Sequence, residues 1–386
     1  MLKRIPRLDI LFAASVTVIT GVVFGVLVWH LIANNVNSDY QGHIFFAQAL
    51  LEGTIYRIHA LYQVVMLGIN VLPGIELPRA AWAAVLLFYA AAAIITYGLL
   101  RQATQNRVLA AAGTLVASIA APITILTWFD NLHYGYVEMN TLHNPTMVVI
   151  KPFALLLFAF ALRVLEGRIR FSWRIVALGA GLIALSIFAK PNFAITLLPA
   201  LIVVVAYRAL VQRNPTGARL AIIGLILPSI LLLAVQYVLQ YSLTTVAGGG
   251  VGLLPFATVW FTEPSFWWMA IKLVASIAFP LTVYLLYRQP ASSDLGLGLG
   301  WWLFVSGMAQ MYLGVEYGIT WNHNNFWWSA ETGALILFVA TLMFWFRQWK
   351  REPRLWIALV MLALHIVSGF ALYYSTMTLS NIAVGW

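Results

Sequence analysis

The sequence predicts an all-α polytopic membrane protein, and three observations support this fold class. Of the 386 residues, 62% are hydrophobic and only 9% are charged, a composition typical of membrane proteins. The apolar residues form runs, about eleven of which approach the length that a helix needs to cross a bilayer. Basic residues are concentrated in alternate breaks between these runs, as the positive-inside rule describes. We expect residues 1–386 to form a single transmembrane domain.

The first apolar run, 10–33, is too long for the apolar region of a signal peptide and is interpreted as an uncleaved span. Lys3, Arg4 and Arg7 precede it, which places the N-terminus in the cytoplasm. The remaining spans are expected by alternation at 80–100, 108–128, 147–166, 174–190, 192–210, 219–241, 265–287, 297–314, 328–346 and 355–376. The 190–192 break between two of them predicts a tight outer turn.

The first outer loop, 34–78, is predicted to hold two interfacial helices. Ser38 and Gln41 fit a capping box at the start of the first helix. Asp39 then lies in the first turn, and His43 follows four residues later on the same face. The two side chains could therefore point at one spot. Alternatively, Asp39 only stabilises the helix start and His43 only anchors at the lipid headgroups.

The second interfacial helix is predicted within the run 56–72, which contains His59 and Gln63. If this run crossed the membrane, Arg101 and Arg107 would lie outside. Leaving it at the outer surface keeps both arginines inside, as the positive-inside rule favours.

The outer face is where function is expected. The further outer loops are predicted at 128–147, 242–264 and 314–328, and every histidine except His365 lies in an outer loop or at an outer span end. The cytoplasmic breaks are short and mostly basic, which topology alone explains. The formal net charge of +10 therefore does not indicate a nucleic-acid partner.

The 128–147 loop carries Asp130, His133, Glu138 and His143. A connector of roughly twenty residues with two acids and two histidines is long for so apolar a protein, and long loops are often functional. The alternative is a solvated connector.

Five basic residues fall on the outer side, where lysine and arginine are normally scarce. Cations at membrane depth are costly and usually face a cavity or a counter-ion. Each could instead snorkel to the headgroups, but several together indicate an anionic ligand such as a phosphate. The five are Arg57, Arg79, Lys151, Lys190 and Lys272.

The late outer loop interleaves aromatic residues with asparagine and histidine, a mixture that can stack on and hydrogen-bond a sugar. An ordinary aromatic belt would have the same composition. The candidate contacts are Glu316, His323, Asn324 and Trp327, with Glu331 just inside the next span.

No motif for a metal or nucleotide is visible. The chain has no cysteine and lacks HExxH, GxSxG, P-loop and GxGxxG patterns. We therefore predict no metal site and no resident cofactor, although a divalent cation is compatible with the sequence.

The early acidic residue in Ser38-Asp39-Tyr40, the segments His143-Asn144-Pro145 and Lys151-Pro152, and the 190–192 Lys-Pro-Asn turn give the sequence a family resemblance. It resembles the GT-C superfamily of integral membrane glycosyltransferases of bacterial type. The chain departs from the family pattern in carrying a single acidic residue, not a pair, at the start of the first loop.

The resemblance implies an inverting transferase that moves a sugar from a polyprenyl-phosphate donor to a glycan, lipid or protein acceptor. Asp39 would be the general base and His43 its helper. The implied location is the bacterial plasma (inner) membrane, as part of the cell envelope, with an extracytoplasmic active site. Two other classes stay open: a lipid or solute transporter or flippase, and a non-catalytic membrane scaffold with this fold.

Overall fold

The chain folds into long apolar helices, which confirms the prediction of an all-α polytopic membrane protein. The computed structural model describes residues 6–34, 38–54, 59–124, 135–243, 249–257, 265–318, 325–348 and 354–378. Within these ranges seven helices are long and apolar enough to cross a membrane, or eight if one bent pair counts as a single span. The finer count of about eleven crossings stays a prediction.

The helices follow the predicted order along the chain. They are α1 (Arg7–Ala33), α2 (Asp39–Leu51), α3 (Leu61–Asn70), α4 (Leu77–Thr104), α5 (Arg107–Ile119), α6 (Pro145–Leu165), α7 (Trp173–Ala189), α8 (Asn192–Leu210), α9 (Ala218–Ala221), α10 (Leu227–Leu243), α11 (Phe266–Ser276), α12 (Ala278–Leu286), α13 (Arg288–Ser293), α14 (Leu295–Leu313), α15 (Trp327–Gln348) and α16 (Leu355–Thr378). A π-helical stretch, Ile222–Ile226, joins α9 to α10. Two short antiparallel strands, β1 (Gly250–Leu253) and β2 (Gly314–Tyr317), pair with Gly250 opposite Tyr317.

Two predicted spans are interrupted, and a proline accounts for each interruption. The 108–128 span was predicted to be helical throughout, but α5 ends at Ile119 and 120–124 is not helical. Pro122 disfavours a helical conformation in the residue before it. The 265–287 span consists of two helices, α11 and α12, bent by 68°. Pro280 lacks an N–H, and its ring would clash with the carbonyl of Ser276 in a continuous helix.

The non-helical stretch 120–124 is held by hydrogen bonds inside the protein, as backbone at membrane depth must be. His365 of α16 binds on both sides of its ring. Its Nδ1 lies 2.6 Å from the carbonyl oxygen of Ala121, and its Nε2 accepts from the N–H of Phe279 at 3.3 Å. Ser368 Oγ accepts from the N–H of Thr124 at 3.1 Å. The stretch is therefore tied to α16 and to the start of α12.

Charged contacts mark one end of the helices, which we call the basic end. Here Asp9 accepts from Arg101 and Arg107, each at 2.9 Å. Arg347 at the end of α15 donates to Asp294 at the start of α14 at 2.7 Å. The opposite end, where Asp39 begins α2, we call the Asp39 end.

Helix α15 is the centre of the bundle, and almost all of its side chains are buried. It packs closely along α14, where glycines let the two backbones approach. A Cβ added at Gly307 would lie 2.8 Å from the Cα of Ala330, and one added at Gly333 would lie 2.8 Å from the carbonyl oxygen of Leu303. This packing fixes the start of α15, and with it Glu331, at the Asp39 end.

Candidate functional site

Two buried lysines lie at the Asp39 end, at the start of α6 and at the end of α7. Lys151 is 6% exposed and Lys190 is 7% exposed. Lys151 Nζ donates to Asn140 Oδ1 at 2.7 Å and stands 5.7 Å from the centre of the Tyr89 ring. Lys190 Nζ donates to Thr146 Oγ1 at 2.8 Å. Because an ammonium has three donors, the hydrogen bond to Asn140 leaves donors of Lys151 for a further acceptor.

Two buried acids share this region. Glu331, which is 4% exposed, accepts a short hydrogen bond from Thr141 Oγ1. Thr141 directly follows Asn140, which binds Lys151, and Lys190 lies against Trp328, one helical turn before Glu331. Glu138 and the two lysines therefore lie in the same region as Glu331. We call Glu138, Lys151, Lys190 and Glu331 the charged cluster.

Local sequence places the lysines. Asn144 caps α6, its Oδ1 accepting from the N–H and the hydroxyl of Thr146 at 3.0 and 2.7 Å. The same hydroxyl oxygen receives Lys190, so the cap of α6 also positions that lysine. Lys190 is the first residue after α7, and α8 begins two residues later at Asn192, which confirms the predicted tight turn. Pro191 suits this turn because it fixes φ and cannot continue a helix.

Asn192 anchors α8 to the start of α15. Its Nδ2 donates to the carbonyl oxygen of Asn325 at 2.6 Å and to Ser329 Oγ at 3.0 Å. Glu331 lies within the following helical turn. The contact therefore fixes α15, and with it the acid, relative to the turn that carries Lys190.

The buried segment 135–144 supplies the other side of the cluster. Asn140 Nδ2 donates to the carbonyl oxygens of Ala117 and Ala120 at 2.9 and 2.8 Å, which are left open where α5 ends. Ser276 Oγ accepts from the N–H of Val137 at 2.9 Å. The interruptions in α5 and α11–α12 thus provide the groups that hold this segment.

Asp39 is joined to the cluster by a chain of contacts. The N–H of Asp39 donates to the carbonyl oxygen of His143 at 3.0 Å. The His143 and Trp328 rings are 5.7 Å apart, and Lys190 Nζ lies 5.0 Å from the centre of the Trp328 ring. Asp39 and Lys190 are therefore on the same side of the bundle.

The predicted capping box at the start of α2 is wrong. Ser38 occupies the N-cap position but makes no side-chain capping bond. Gln41 Nε2 donates instead to the carbonyl oxygen of Ile32 at 2.7 Å. The bond from Asp39 to His143 satisfies one of the open N–H groups, and Gln41 ties α2 to the end of α1.

His43 is buried between α2 and α3, where it contacts Gln63. Its Nδ1 lies 2.7 Å from Gln63 Nε2, and its ring meets Tyr62 edge to face with centroids 5.6 Å apart. The described structure therefore shows His43 in contact with Gln63. Burial raises the pKa of the Tyr40 hydroxyl well above its usual range, and burial likewise raises the pKa of Tyr62, so both phenols are neutral.

The other predicted site residues are distributed more widely. Lys272 Nζ lies 5.5 Å from the centre of the Tyr136 ring, two residues before Glu138. Glu316 of β2 accepts from Tyr241 at 2.9 Å and from Asn325 at 2.6 Å.

Three of the remaining predicted residues lie at or just before the start of a helix. Trp327 is buried at the start of α15, His59 precedes α3, and Arg79 lies in the first turn of α4. Arg57, Asp130, His133, His323 and Asn324 lie outside the described residues.

Sequence reasoning missed the neutral residues that hold the charged ones. Asn140, Thr141 and Thr146 each bind a member of the charged cluster. All three lie within 128–147, the loop that was predicted to be functional because of its histidines and acids. A buried charge needs hydrogen-bonding neighbours. That requirement could have identified these polar residues as partners of the buried lysines and acids.

An apolar groove of about 580 Å³ lies between α8, α14 and β1. Its lining includes Pro199, Val203, Leu253, Trp302, Val305 and Phe326. Phe326 follows Asn325, the residue that receives Asn192, so one end of the groove lies near the Asp39 end.

No group of three metal-binding side chains occurs in the part of the chain that the structure describes. No protein-family model matches this chain, and no curated protein sequence matches it either. The arrangement of the site can receive an anion beside two lysines, with a carboxylate on the same side of the bundle.

Proposed function

We propose that this protein is a membrane glycosyltransferase that moves a sugar from a polyprenyl-phosphate donor to an acceptor. The observation that carries the proposal is the burial of Lys151 and Lys190 at the Asp39 end. Buried cations usually serve a ligand or a counter-ion. Lys151 donates to Asn140 and Lys190 to Thr146, in the region that also holds Glu138 and Glu331. An anionic phosphate is a fitting further partner.

In the proposed reaction Asp39 accepts the proton of the acceptor hydroxyl. The hydroxyl oxygen then forms a bond to the anomeric carbon, and the bond from that carbon to the phosphate oxygen breaks. Lys151 and Lys190 stabilise the negative charge of the departing polyprenyl phosphate. His43, which contacts Gln63, is assigned the helper role of orienting Asp39 or contacting the phosphate.

The apolar surroundings support a lipid-linked substrate. Lys151 lies six residues into α6, roughly 9 Å along the helix axis, so a phosphate bound there sits at membrane depth. The groove beside α8 offers an apolar surface near this end. Trp327 and Trp328 at the start of α15 are buried, and Trp328 lies against Lys190 and His143.

The proposal includes the finer topology expected from the sequence. In this topology the chain crosses the membrane about eleven times, and α2 and α3 lie at the interface. The N-terminus is cytoplasmic, and the site is extracytoplasmic in a bacterial plasma membrane. The clustering of arginines at the basic end supports this orientation.

A transfer assay with Asp39→Asn tests the function. Membranes containing the protein are supplied with radiolabelled polyprenyl-phosphate sugars, and label in the acceptor fraction is counted. Loss of a positioned base should lower turnover by about 10²–10⁴-fold. Glu52→Gln, an exposed acid at the end of the same helix, is the matched control and should retain activity. Turnover equal to wild type in Asp39→Asn would remove this residue from the mechanism.

A transporter is the second candidate, because one described span is broken. Helices α11 and α12 are bent by 68°, and His365 binds the backbone at that bend. Broken helices at membrane depth are typical of secondary transporters. Uptake of a labelled lipid-linked sugar into vesicles, with no glycosylated product, would favour this class over the transferase.

A further inference from the structure

The side chain of Arg208, in the last turn of α8, is buried but has no partner among the described residues. The residue is 9% exposed, and its Nε is enclosed without a hydrogen bond. The ion pairs within the described ranges join other residues. An uncompensated buried charge is costly, so this guanidinium is suited to bind an anion from outside the protein through its two terminal nitrogens.

Arg208 lies at the basic end, opposite the charged cluster. Helices α8 and α15 both begin at the Asp39 end, where Asn192 contacts Ser329. Arg208 is roughly 24 Å farther along α8, a distance close to the thickness of the hydrocarbon core of a bilayer, about 30 Å. The guanidinium is therefore near the depth of the lipid headgroups.

The surface of α8 beside Arg208 is suited to contact lipid. Tyr207, Leu210 and Val211 are all exposed at this end of the helix. Tyrosine is enriched where a protein meets the membrane interface, and the other two side chains are apolar. These neighbours favour a lipid over a water-soluble anion as the ligand.

The break 211–217, which joins α8 to α9, packs against the connection between α6 and α7. A Cβ added at Gly167 in that connection would lie 2.6 Å from Thr216 Cγ2. The N–H of Asn214 donates to the carbonyl oxygen of Arg208 at 2.8 Å. The break therefore folds back on the end of α8 and brings the two connections together there.

These two connections carry many arginines and little opposing charge. Glu166 is the one acid between residues 145 and 243, and it pairs with Arg168 at 2.9 Å. Arg219 Cζ stands 4.3 Å from the centre of the Phe171 ring, so α9 also meets the α6–α7 connection. Further arginines here form no ion pair with a described residue; they are Arg170, Arg174, Arg213 and Arg219. Such a region attracts anionic lipid.

The positive-inside rule explains arginines in solvated connections. It does not explain the burial of Arg208, because a solvated arginine would satisfy the rule without the cost of an unpaired buried donor. A bound anion accounts for both the charge and the burial.

We propose that Arg208 binds the phosphate of an anionic glycerophospholipid at the basic end. The phosphate oxygens accept from the guanidinium, a pairing that suits arginine, and the acyl chains lie along the exposed apolar side chains of α8. Basic pockets between transmembrane helices bind such headgroups. This site is separate from the charged cluster and does not depend on the proposed transfer reaction.

Lipid binding by the purified full-length protein tests the proposal. Native mass spectrometry in a neutral detergent compares dioleoyl phosphatidylglycerol with dioleoyl phosphatidylcholine, which has the same acyl chains but no net charge. The wild type should bind one phosphatidylglycerol with a dissociation constant about tenfold lower than that for phosphatidylcholine, the usual effect of a hydrogen bond to a charged group.

Variants assign the lipid to one residue. Arg208→Gln keeps a long polar side chain without the charge and should lose most of this preference, whereas Arg208→Lys should retain much of it. Arg213→Gln removes an exposed arginine of the neighbouring break and is the matched control, which should keep the preference.

Thermal unfolding separates a binding role from a structural one. In detergent without lipid, Arg208→Gln should melt at or above the temperature of the wild type, because an uncompensated buried charge is removed. Phosphatidylglycerol should raise the melting temperature of the wild type but not that of the variant. A lower melting temperature of Arg208→Gln both with and without lipid would show a structural role and overturn the proposal.

Inorganic phosphate is the second arm of the binding experiment, because the same charge could come from a free anion. It should displace phosphatidylglycerol only in large excess, since it lacks the acyl chains. Displacement at equal concentration would reject the lipid as the ligand. Equal binding of the two lipids by the wild type, or a full preference in Arg208→Gln, would reject the site.

Discussion

Replacing Lys151 with methionine removes a buried ammonium while keeping a long side chain. The substitution leaves Asn140 Oδ1 without the donor that lies 2.7 Å away. An unsatisfied buried acceptor costs about 1–3 kcal/mol, so the free energy of unfolding should fall by that amount. If the ammonium also stabilises the leaving phosphate, turnover should fall by about 10²–10³-fold, the usual effect of removing one electrostatic stabiliser.

Two assays separate these effects. Unfolding in detergent, followed by intrinsic fluorescence, measures the free energy, and glycosyl transfer by folded protein measures turnover. Arg163→Met is the matched control, since Arg163 lies on the same helix but donates to Gln102 in an exposed position at the basic end. It should change stability by less than about 0.5 kcal/mol. Folded Lys151→Met with wild-type turnover would refute the role of this lysine in the reaction.

Two further predictions concern the fold that holds the site. His365→Leu removes the ring that contacts the carbonyl oxygen of Ala121 and the N–H of Phe279. Each backbone group that loses its partner should lower the free energy of unfolding by about 1–3 kcal/mol. Thermal unfolding in detergent measures this loss. Gly307→Val should lower the free energy of unfolding by about 1–3 kcal/mol, because the added side chain overpacks against α15. Gly298→Val lies on the same helix with open space around it and should leave stability unchanged. Melting curves of the two variants, recorded in parallel, test the difference.

Each of these predictions has a matched control variant. His365→Asn can still donate and accept, so it should recover part of the stability that leucine removes. Equal melting temperatures for the wild type and His365→Leu would show that the ring does not support the α11–α12 break. Equal effects at Gly307 and Gly298 would contradict the close packing of α14 against α15.

Much of the helix order could be predicted because each apolar run is a local signal. Hydropathy placed most helix bounds within a few residues, and Lys190 was placed correctly in a tight turn between two helices. The interruptions were missed because a length criterion treats Pro122 and Pro280 as ordinary apolar positions. Their consequences depend on distant partners, such as His365, that satisfy the freed backbone.

The site was predictable in its charges but not in their partners. Basic residues at span ends expected on the outer side identified Lys151 and Lys190. Glu331, far along the chain from both, lies near them where Asn192 of α8 binds Ser329 at the start of α15. Asn140 carries no charge, so only the three-dimensional structure shows that it binds a lysine. The pairing of His43 with Gln63 likewise depends on how α2 meets α3.

The most direct test of the central claim is a cryo-electron microscopy structure of the protein in nanodiscs with bound polyprenyl phosphate. The account predicts phosphate density between Asp39 and Lys151, with oxygens roughly 3 Å from the ammonium of Lys151 or Lys190. Phosphate density at the basic end, or lipid bound with both lysines unchanged and far from it, would contradict the account.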